Sequence, residues 1–362
     1  TRKESSAASD VYKRQVLAGA TNGIPVALAP ALGGSANGTL DLNGFNQTLA
    51  GVSLGNAGVG SNFTGTVNLG ARALTLNGNV TTISTATSVA AHTINATAGG
   101  TIDFGGTNRS FTVADTLAVD DLTVTGAAIT AGAGFSKDGA GTLVLRNVTS
   151  TGALSVNAGT LAAAPIGQAG TLSLPGLSFG AANTTLRVQV GAVQDTINAG
   201  ALTTGSGTVT LAVPQVGGLL ANGTYPLLNY TGASPGLGSF VAALPGRVTG
   251  NLVDTGSSFA LEVTGNDRVV WTGGVDGKWD VNTTENWNLE TGGGAAKYLE
   301  YDSVVFGDGP LGAGGSTVSV TGNVTPAAVS FTNTATTPYN LTGVGAVGIT
   351  GAGGVTKTGD GT

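Results

Sequence analysis

Short apolar segments that alternate with period two, each ended by a glycine-bearing turn, run through almost the whole chain and limit its fold more than any other feature. Leu40/Leu42, Val67/Leu69, Leu74/Leu76, Leu143/Leu145, Leu154/Val156, Leu186/Val188/Val190, Phe259/Leu261/Val263 and Val318/Val320 each set apolar side chains on one face of an extended segment. Between such segments stand Asn43-Gly44, Asn77-Gly78, Thr125-Gly126 and Gly353-Gly354, pairs that supply positive φ at low steric cost. Half-buried strands of about four to six residues therefore recur roughly every ten residues.

Stretches rich in Glu, Lys, Gln and Leu at helical spacing are absent, and Thr, Val, Asn and Gly dominate, so the expected fold class is all-β. Strands like these can be buried in coils stacked along one axis, or in a string of β-sandwich domains of about 100 residues each. Aromatic residues make up 5% of the chain and are thinly spread, which is too little for concentrated sandwich cores. Small side chains suit coils that touch only their neighbours, so the expectation is a β-solenoid, with a sandwich-like insertion in the middle as a local alternative.

Charged residues are 9% of the chain, against roughly a quarter in ordinary globular proteins. Glycine reaches 62 residues without a three-residue period, and an apolar fraction of 41% is too high for a disordered linker. The first fifteen residues differ from the rest: they hold Arg2, Lys3, Lys13 and Arg14, and Asp10 to Gln15, DVYKRQ, resembles the translated end of a transposon adapter. Residues 1–15 are therefore set aside as a non-native scar. Without them the 14 basic residues fall by four to ten and the 20 acidic ones by two to eighteen, leaving a formal charge of −8 and no basic patch. Nucleic acid is not an expected partner. No apolar run approaches the roughly 18 residues of a membrane-spanning helix. The chain has no Cys, which leaves no disulfide or thiolate chemistry.

An internal repeat supports stacking. GFSKDGAGT at 134–142 aligns with GVTKTGDGT at 354–362, with Gly134/Gly354, Lys137/Lys357, Gly139/Gly359, Gly141/Gly361 and Thr142/Thr362 identical. A turn whose glycines need special backbone angles, followed by a strand, is thus used twice. The second copy stops where the first runs on into Leu143-Val144-Leu145, so the chain is expected to be a piece of a longer one. Near Gly265 the composition changes: Trp271, Trp279 and Trp287 follow at intervals of eight, with Tyr298, Tyr301 and Phe306 behind them. The expected organisation is a solenoid region at 16–180, a diffuse all-β region at 181–265 that ends the first module, and the truncated start of a second module at 266–362.

KDGAGTLVL (Lys137 to Leu145) followed by LSVNAGTL (Leu154 to Leu161) resembles the passenger-associated repeat of autotransporters. Gly38 to Val52, Trp271 to Trp287 and Gly351 to Thr362 resemble autotransporter-associated β-strand repeat proteins. Together these patches cover about a third of the chain. Ser136-Lys137-Asp138 departs from the more usual Thr-Lys-Thr. The resemblance implies a right-handed parallel β-helix, export through the outer membrane, display at the cell surface, and an outer-membrane translocator barrel beyond this fragment.

Candidate sites are sparse, and no catalytic, cofactor-binding or metal-binding residue is assigned. His92, the single imidazole, reads as a strand residue beside Ile94 and has no second His or Cys to complete a metal site. A nucleophile would lack any other base. Paired carboxylates, as in β-helix enzymes acting on polysaccharides, are sought at Asp120-Asp121, Glu300/Asp302 and Asp276/Asp280. Adjacent Asp120 and Asp121 point to opposite sides, and Asp276/Asp280 sit among glycines, where Asp forms turns. The Gly-Asp-Gly triplets at 307–309 and 359–361 lack the tandem spacing of calcium-binding β-rolls. The three tryptophans could stack on sugars, although packing in a sparse β core is the plainer role.

The expected function is a non-enzymatic scaffold, adhesin-like, whose Thr and Asn groups face surface glycans or other host or environmental polymers. A β-helix carbohydrate-active enzyme or glycan-binding module is the alternative. An ice- or crystal-binding surface, suggested by Thr123-Val124-Thr125, would need a regular threonine ladder, and the spacing in sequence is too irregular to show one.

Overall fold

The computed structural model describes residues 13–15, 26–28, 37–55, 63–85, 87–216, 220–343, 345, 347–351 and 353–362. Residues 1–12 of the stretch read as a scar lie outside the described residues. Lys13–Gln15 pairs with Thr39–Asp41 at one end of a sheet.

Strands make up 49% of the chain, and parallel sheets stack into a β-solenoid of about 12 turns. In the first stack each full coil contributes one strand to each of three faces. Gly38–Asp41, Gly65–Gly70, His92–Ala96, Leu122–Thr125, Thr142–Arg146, Gly159–Ala162, Thr184–Arg187, Val209–Ala212 and Phe240–Ala243 form the first face in chain order, each parallel to the next. Gln47–Leu49, Ala73–Leu76, Thr101–Asp103, Ala128–Thr130 and Val148–Ser150 form the second face. Val52–Gly55, Val80–Ile83, Arg109–Thr112, Phe135–Asp138 and Leu154–Val156 form the third. The long strand Thr171–Phe179 then pairs with the second face at Leu172 and with the third at Leu177, so two faces merge into one.

The alternation read from the sequence is what makes this work. Leu40, Val67, Ile94, Val124 and Leu145 lie in one register row, and all are sealed from solvent. Burying an aliphatic side chain of this size contributes about 1.5–3 kcal/mol. Phe104, Phe111 and Phe135 pack against one another across coils, with ring centroids 5.8–6.1 Å apart. Each such row is completed only by the coil above and below it.

Through 181–265 the stack runs on. Thr184–Arg187 and Val209–Ala212 extend the first face, and Thr196–Thr204 pairs along nearly all of Thr171–Phe179. Antiparallel pairing then enters: Gly223–Tyr230 and Val248–Asp254 both pair with Ser258–Asn266. The first core ends with Val263, and a second begins at Val269. In the second, Val269–Trp271 pairs antiparallel with Trp287–Leu289. Parallel pairing resumes through Ser303–Phe306, Ala328–Phe331 and Gly354–Lys357, and through Lys278–Trp279, Thr317–Val320 and Asn340–Gly343.

Candidate functional site

The outward side of the first face carries two polar ladders. Thr39, Thr66, Thr93 and Thr123 stand in one register row, and Asp41, Asn68, Asn95 and Thr125 in the next. Thr93 Oγ1 donates to Thr66 Oγ1 at 3.3 Å, and Asn95 Nδ2 lies 3.4 Å from both Asn68 Oδ1 and Thr93 Oγ1. Neighbouring rungs lie about 4.8 Å apart, so the array repeats hydroxyl and amide groups at a fixed pitch. Thr123 and Thr125, whose pattern looked irregular in sequence, are rungs of it. The third face has a serine counterpart in Ser110, Ser136, Ser155 and Ser178, with Ser178 Oγ donating to Ser155 Oγ at 2.8 Å.

A cleft of about 430 Å³ lies between the two stacks. Val119, Asp120, Pro165 and Ile166 line it from the first, and Tyr301, Pro326, Ala327 and Thr350 from the second. Tyr301 has φ +68, a left-handed conformation that a bulky residue seldom adopts. Its N–H donates to Thr325 O at 2.9 Å, and Thr325 N donates to Glu300 Oε2 at 2.6 Å, which ties the turn to the next coil. Asp120 is ion-paired with Arg187, whose guanidinium also donates to Val119 O and Ala164 O. The cleft is mostly apolar, with one carboxylate and one phenol on its walls.

The carboxylates sought as catalytic pairs are each engaged by structural partners of their own. Asp121 is buried, accepting from Thr116 Oγ1 at 2.5 Å and Thr142 N at 2.7 Å, and burial raises its pKa. Asp120 turns the other way, to Arg187. Asp302 accepts from Arg247 and from Leu299 N at 2.8 Å, whereas Glu300 accepts from Thr325 N and from the Tyr298 hydroxyl at 3.3 Å. Asp276 accepts from Asn286 Nδ2 and Lys278 N, and Asp280 from Thr284 N and Oγ1, so both organise turns. In the triplet at 307–309, Asp308 accepts from Thr334 N and braces one coil against the next.

His92 lies on a first-face strand, where its Nδ1 accepts from Gly65 N at 2.9 Å. Burial lowers its pKa from 6.5 to about 4, so the ring is neutral at pH 7. Among the described residues no group of three His, Asp or Glu could hold a metal ion.

Trp271, Trp279 and Trp287 form the second core. All three are buried, and their rings meet edge to face: Trp271 and Trp287 at 4.9 Å, Trp279 and Trp287 at 5.3 Å, and Trp279 and Tyr298 at 5.4 Å. Trp271 Nε1 donates to Gly315 O at 2.9 Å. Their faces are covered, so stacking on a sugar is not open to them.

Sequence reasoning passed over the buried polar groups that hold the coils in register. Lys137 is fully buried, donating to Gly139 O at 2.6 Å, Ala158 O at 3.0 Å and Asp138 O at 3.1 Å. Burial lowers its pKa to about 8. Gln189 and Asp195 form a second buried knot, with Gln189 N donating to Asp195 Oδ2 at 2.9 Å and Gly170 N to Asp195 Oδ1 at 3.1 Å. The recurring Lys-x-Gly pattern was the one signal that marked Lys137. Comparison of the chain with protein-family models, with curated proteins and with solved structures gives no match.

Proposed function

We propose that this chain is a segment of a non-enzymatic, surface-displayed scaffold of the autotransporter passenger type, adhesin-like, that meets glycans or other extended polymers along its outer faces. The observation that carries the reading is the in-register row Thr39, Thr66, Thr93 and Thr123 beside Asp41, Asn68, Asn95 and Thr125. A polymer with a repeating pattern of hydroxyls can match a repeating array of donors and acceptors, gaining affinity from many weak contacts rather than from one pocket. The resemblance of Lys137 to Leu145 and Leu154 to Leu161 to passenger repeats supports export and display, with a translocator barrel elsewhere in the protein. The commitment of each acidic pair to separate structural partners supports a scaffold over a hydrolase.

A glycan-binding module is the second reading. The cleft favours it, with Tyr301 and Asp120 on walls that are mostly apolar.

Co-sedimentation with cellulose, chitin and mannan, assayed together with release of reducing ends, tests both. The scaffold reading expects binding without release, lost when Thr66 and Thr93 are both replaced by Val. Binding that survives Thr66→Val/Thr93→Val and is lost in Tyr301→Ala moves the site to the cleft. Release of reducing ends, or no binding to any polymer, overturns the scaffold reading.

A further inference from the structure

Six asparagines close corners of the stack in the same way. Oδ1 of Asn37 accepts from Thr64 N, that of Asn46 from Ala73 N, of Asn79 from Ser110 N, of Asn147 from Thr171 N, of Asn183 from Thr208 N and of Asn323 from Gly348 N, all at 3.0–3.2 Å. Each asparagine and its donor stand one residue ahead of a register pair in neighbouring coils, so the bond closes the entry of a parallel ladder. Every one of the six opens an Asn-x-Thr triplet: Asn37-Gly38-Thr39, Asn46-Gln47-Thr48, Asn79-Val80-Thr81, Asn147-Val148-Thr149, Asn183-Thr184-Thr185 and Asn323-Val324-Thr325. The middle residue takes the inward position, and the threonine follows on the outer side.

The corner bond uses only the amide oxygen. All six asparagines are exposed, and none of their Nδ2 atoms donates to another group among the described residues. Five of the six threonine hydroxyls are likewise without a partner among the described residues, whereas Thr325 Oγ1 lies 3.2 Å from Thr350 Oγ1. Other Asn-x-Thr triplets are closed. Asn95 Nδ2 is turned to Asn68 Oδ1 and Thr93 Oγ1, Asn229 Nδ2 donates to Asn198 Oδ1 at 3.0 Å, and in Asn282-Thr283-Thr284 the Thr284 hydroxyl donates to Asp280 Oδ2 at 2.6 Å. The corner bond therefore leaves open the two groups that make such a triplet an acceptor of sugar, the amide nitrogen and the hydroxyl two residues on.

We infer that Asn37, Asn46, Asn79, Asn147 and Asn183 are acceptor sites for asparagine-linked glycosylation by a transferase that uses a nucleotide-activated hexose. Nδ2 attacks C1 of the hexose, the bond from C1 to the donor's phosphate oxygen breaks, and a C1–Nδ2 bond forms. One amide proton passes to a base of the transferase, and the nucleoside diphosphate leaves with the bonding pair. Oδ1 takes no part in the new bond, so the modified amide still accepts from the next coil and the stack stays closed. Charged residues are only 9% of the chain, and hexoses on the outer corners add hydrated groups that its surface otherwise draws from hydroxyls and amides. The inference goes beyond the scaffold reading and does not depend on polymer binding.

The test incubates the folded chain with UDP-glucose and a soluble asparagine glycosyltransferase and maps hexose to each asparagine by mass spectrometry, with a proteolytic digest of the same chain treated in parallel. In the folded chain the five sites are expected to carry at least fivefold more hexose than Asn95, Asn229 and Asn282. The digest is expected to lose most of that preference, because there the nitrogens and hydroxyls of all eight triplets are free. Thr81→Val keeps the bond from Ser110 N to Asn79 and should abolish hexose at Asn79 alone. Urea midpoints of the glucosylated and untreated chains should agree, since each Oδ1 keeps its donor. Absence of hexose from the five sites overturns the inference, as does equal modification of Asn95, Asn229 and Asn282 in the folded chain. A digest that keeps the folded chain's preference overturns it as well, because the selection would then lie in the triplets' sequence and not in their place at the corners.

Discussion

Lys137 and Ala158 are joined across neighbouring coils, the buried ammonium donating to the carbonyl at 3.0 Å while it also holds Asp138 and Gly139 in its own turn. Lys137→Met keeps much of the volume and leaves three carbonyls without this donor, a net cost of about 2 kcal/mol. The sign of the pH dependence follows from the lowered pKa. Between about 8 and the ordinary 10.5 the unfolded chain holds a proton that the folded chain has lost, so the native protein gains stability relative to Lys137→Met as pH rises through that range. Urea unfolding of both proteins at pH 7 and pH 10 measures the difference; a constant gap would contradict it.

His92 titrates as a buried neutral base with a folded-state pKa of about 4 against 6.5. Between those values the unfolded chain takes up a proton that the folded one does not, so stability falls as pH drops from about 6.5 and levels off below about 4. At about 1.4 kcal/mol per pKa unit the loss reaches roughly 3 kcal/mol. His92→Gln keeps an acceptor for Gly65 N and should remove most of this slope, as read by denaturant midpoints from pH 7 to pH 4.

Two glycines with similar backbone angles separate strain from crowding. Gly44 has φ +83 with nothing within 4 Å of a built Cβ, and Gly139 has φ +79 with Val113 O at 2.2 Å. Gly44→Ala is expected to cost about 1 kcal/mol, the ordinary penalty for a left-handed alanine. Gly139→Ala adds a backbone clash between coils and should cost about 3 kcal/mol or more. Equal thermal shifts in the two variants would show that the coil contact at Gly139 is not tight.

The two cores are expected to fail separately. Trp279→Ala removes the indole that touches Trp287, Tyr298 and Phe306, at a cost of about 3–5 kcal/mol. Fluorescence from Trp271 and Trp287 should then report melting at lower temperature, while far-ultraviolet circular dichroism keeps the signal of the first stack. A single shifted transition in both probes would join the cores into one unit.

Much of this architecture is legible in the residues. The inward rows are the period-two pairs, and the Gly-x-Gly-Thr turns mark corners where a Cβ has no room. The register is not legible, because coils differ in length: Thr66 and Thr93 are 27 residues apart, whereas Thr142 N reaches Asp121 across 21. That variation conceals the threonine ladder. Phe111 and Phe331 stand opposite Lys137 and Lys357 at the repeat's own offset of 220 residues, yet their neighbours Val113 and Asn333 share no chemistry, so the residues alone do not extend the repeat back to them. Lys137 is hard to place for another reason: its burial depends on three backbone carbonyls, which no side-chain pattern records.

Stacking along one axis is tested most directly by spin-label distances, which a chain without cysteine makes simple to measure. With one label at Thr210 and the second at Thr93, Thr66 or Thr39, the register places the pairs five, six and seven coils apart. At about 4.8 Å per coil the distances should be roughly 24, 29 and 34 Å, growing by the same step each time. Distances that do not increase in that order would contradict the stack and, with it, the scaffold.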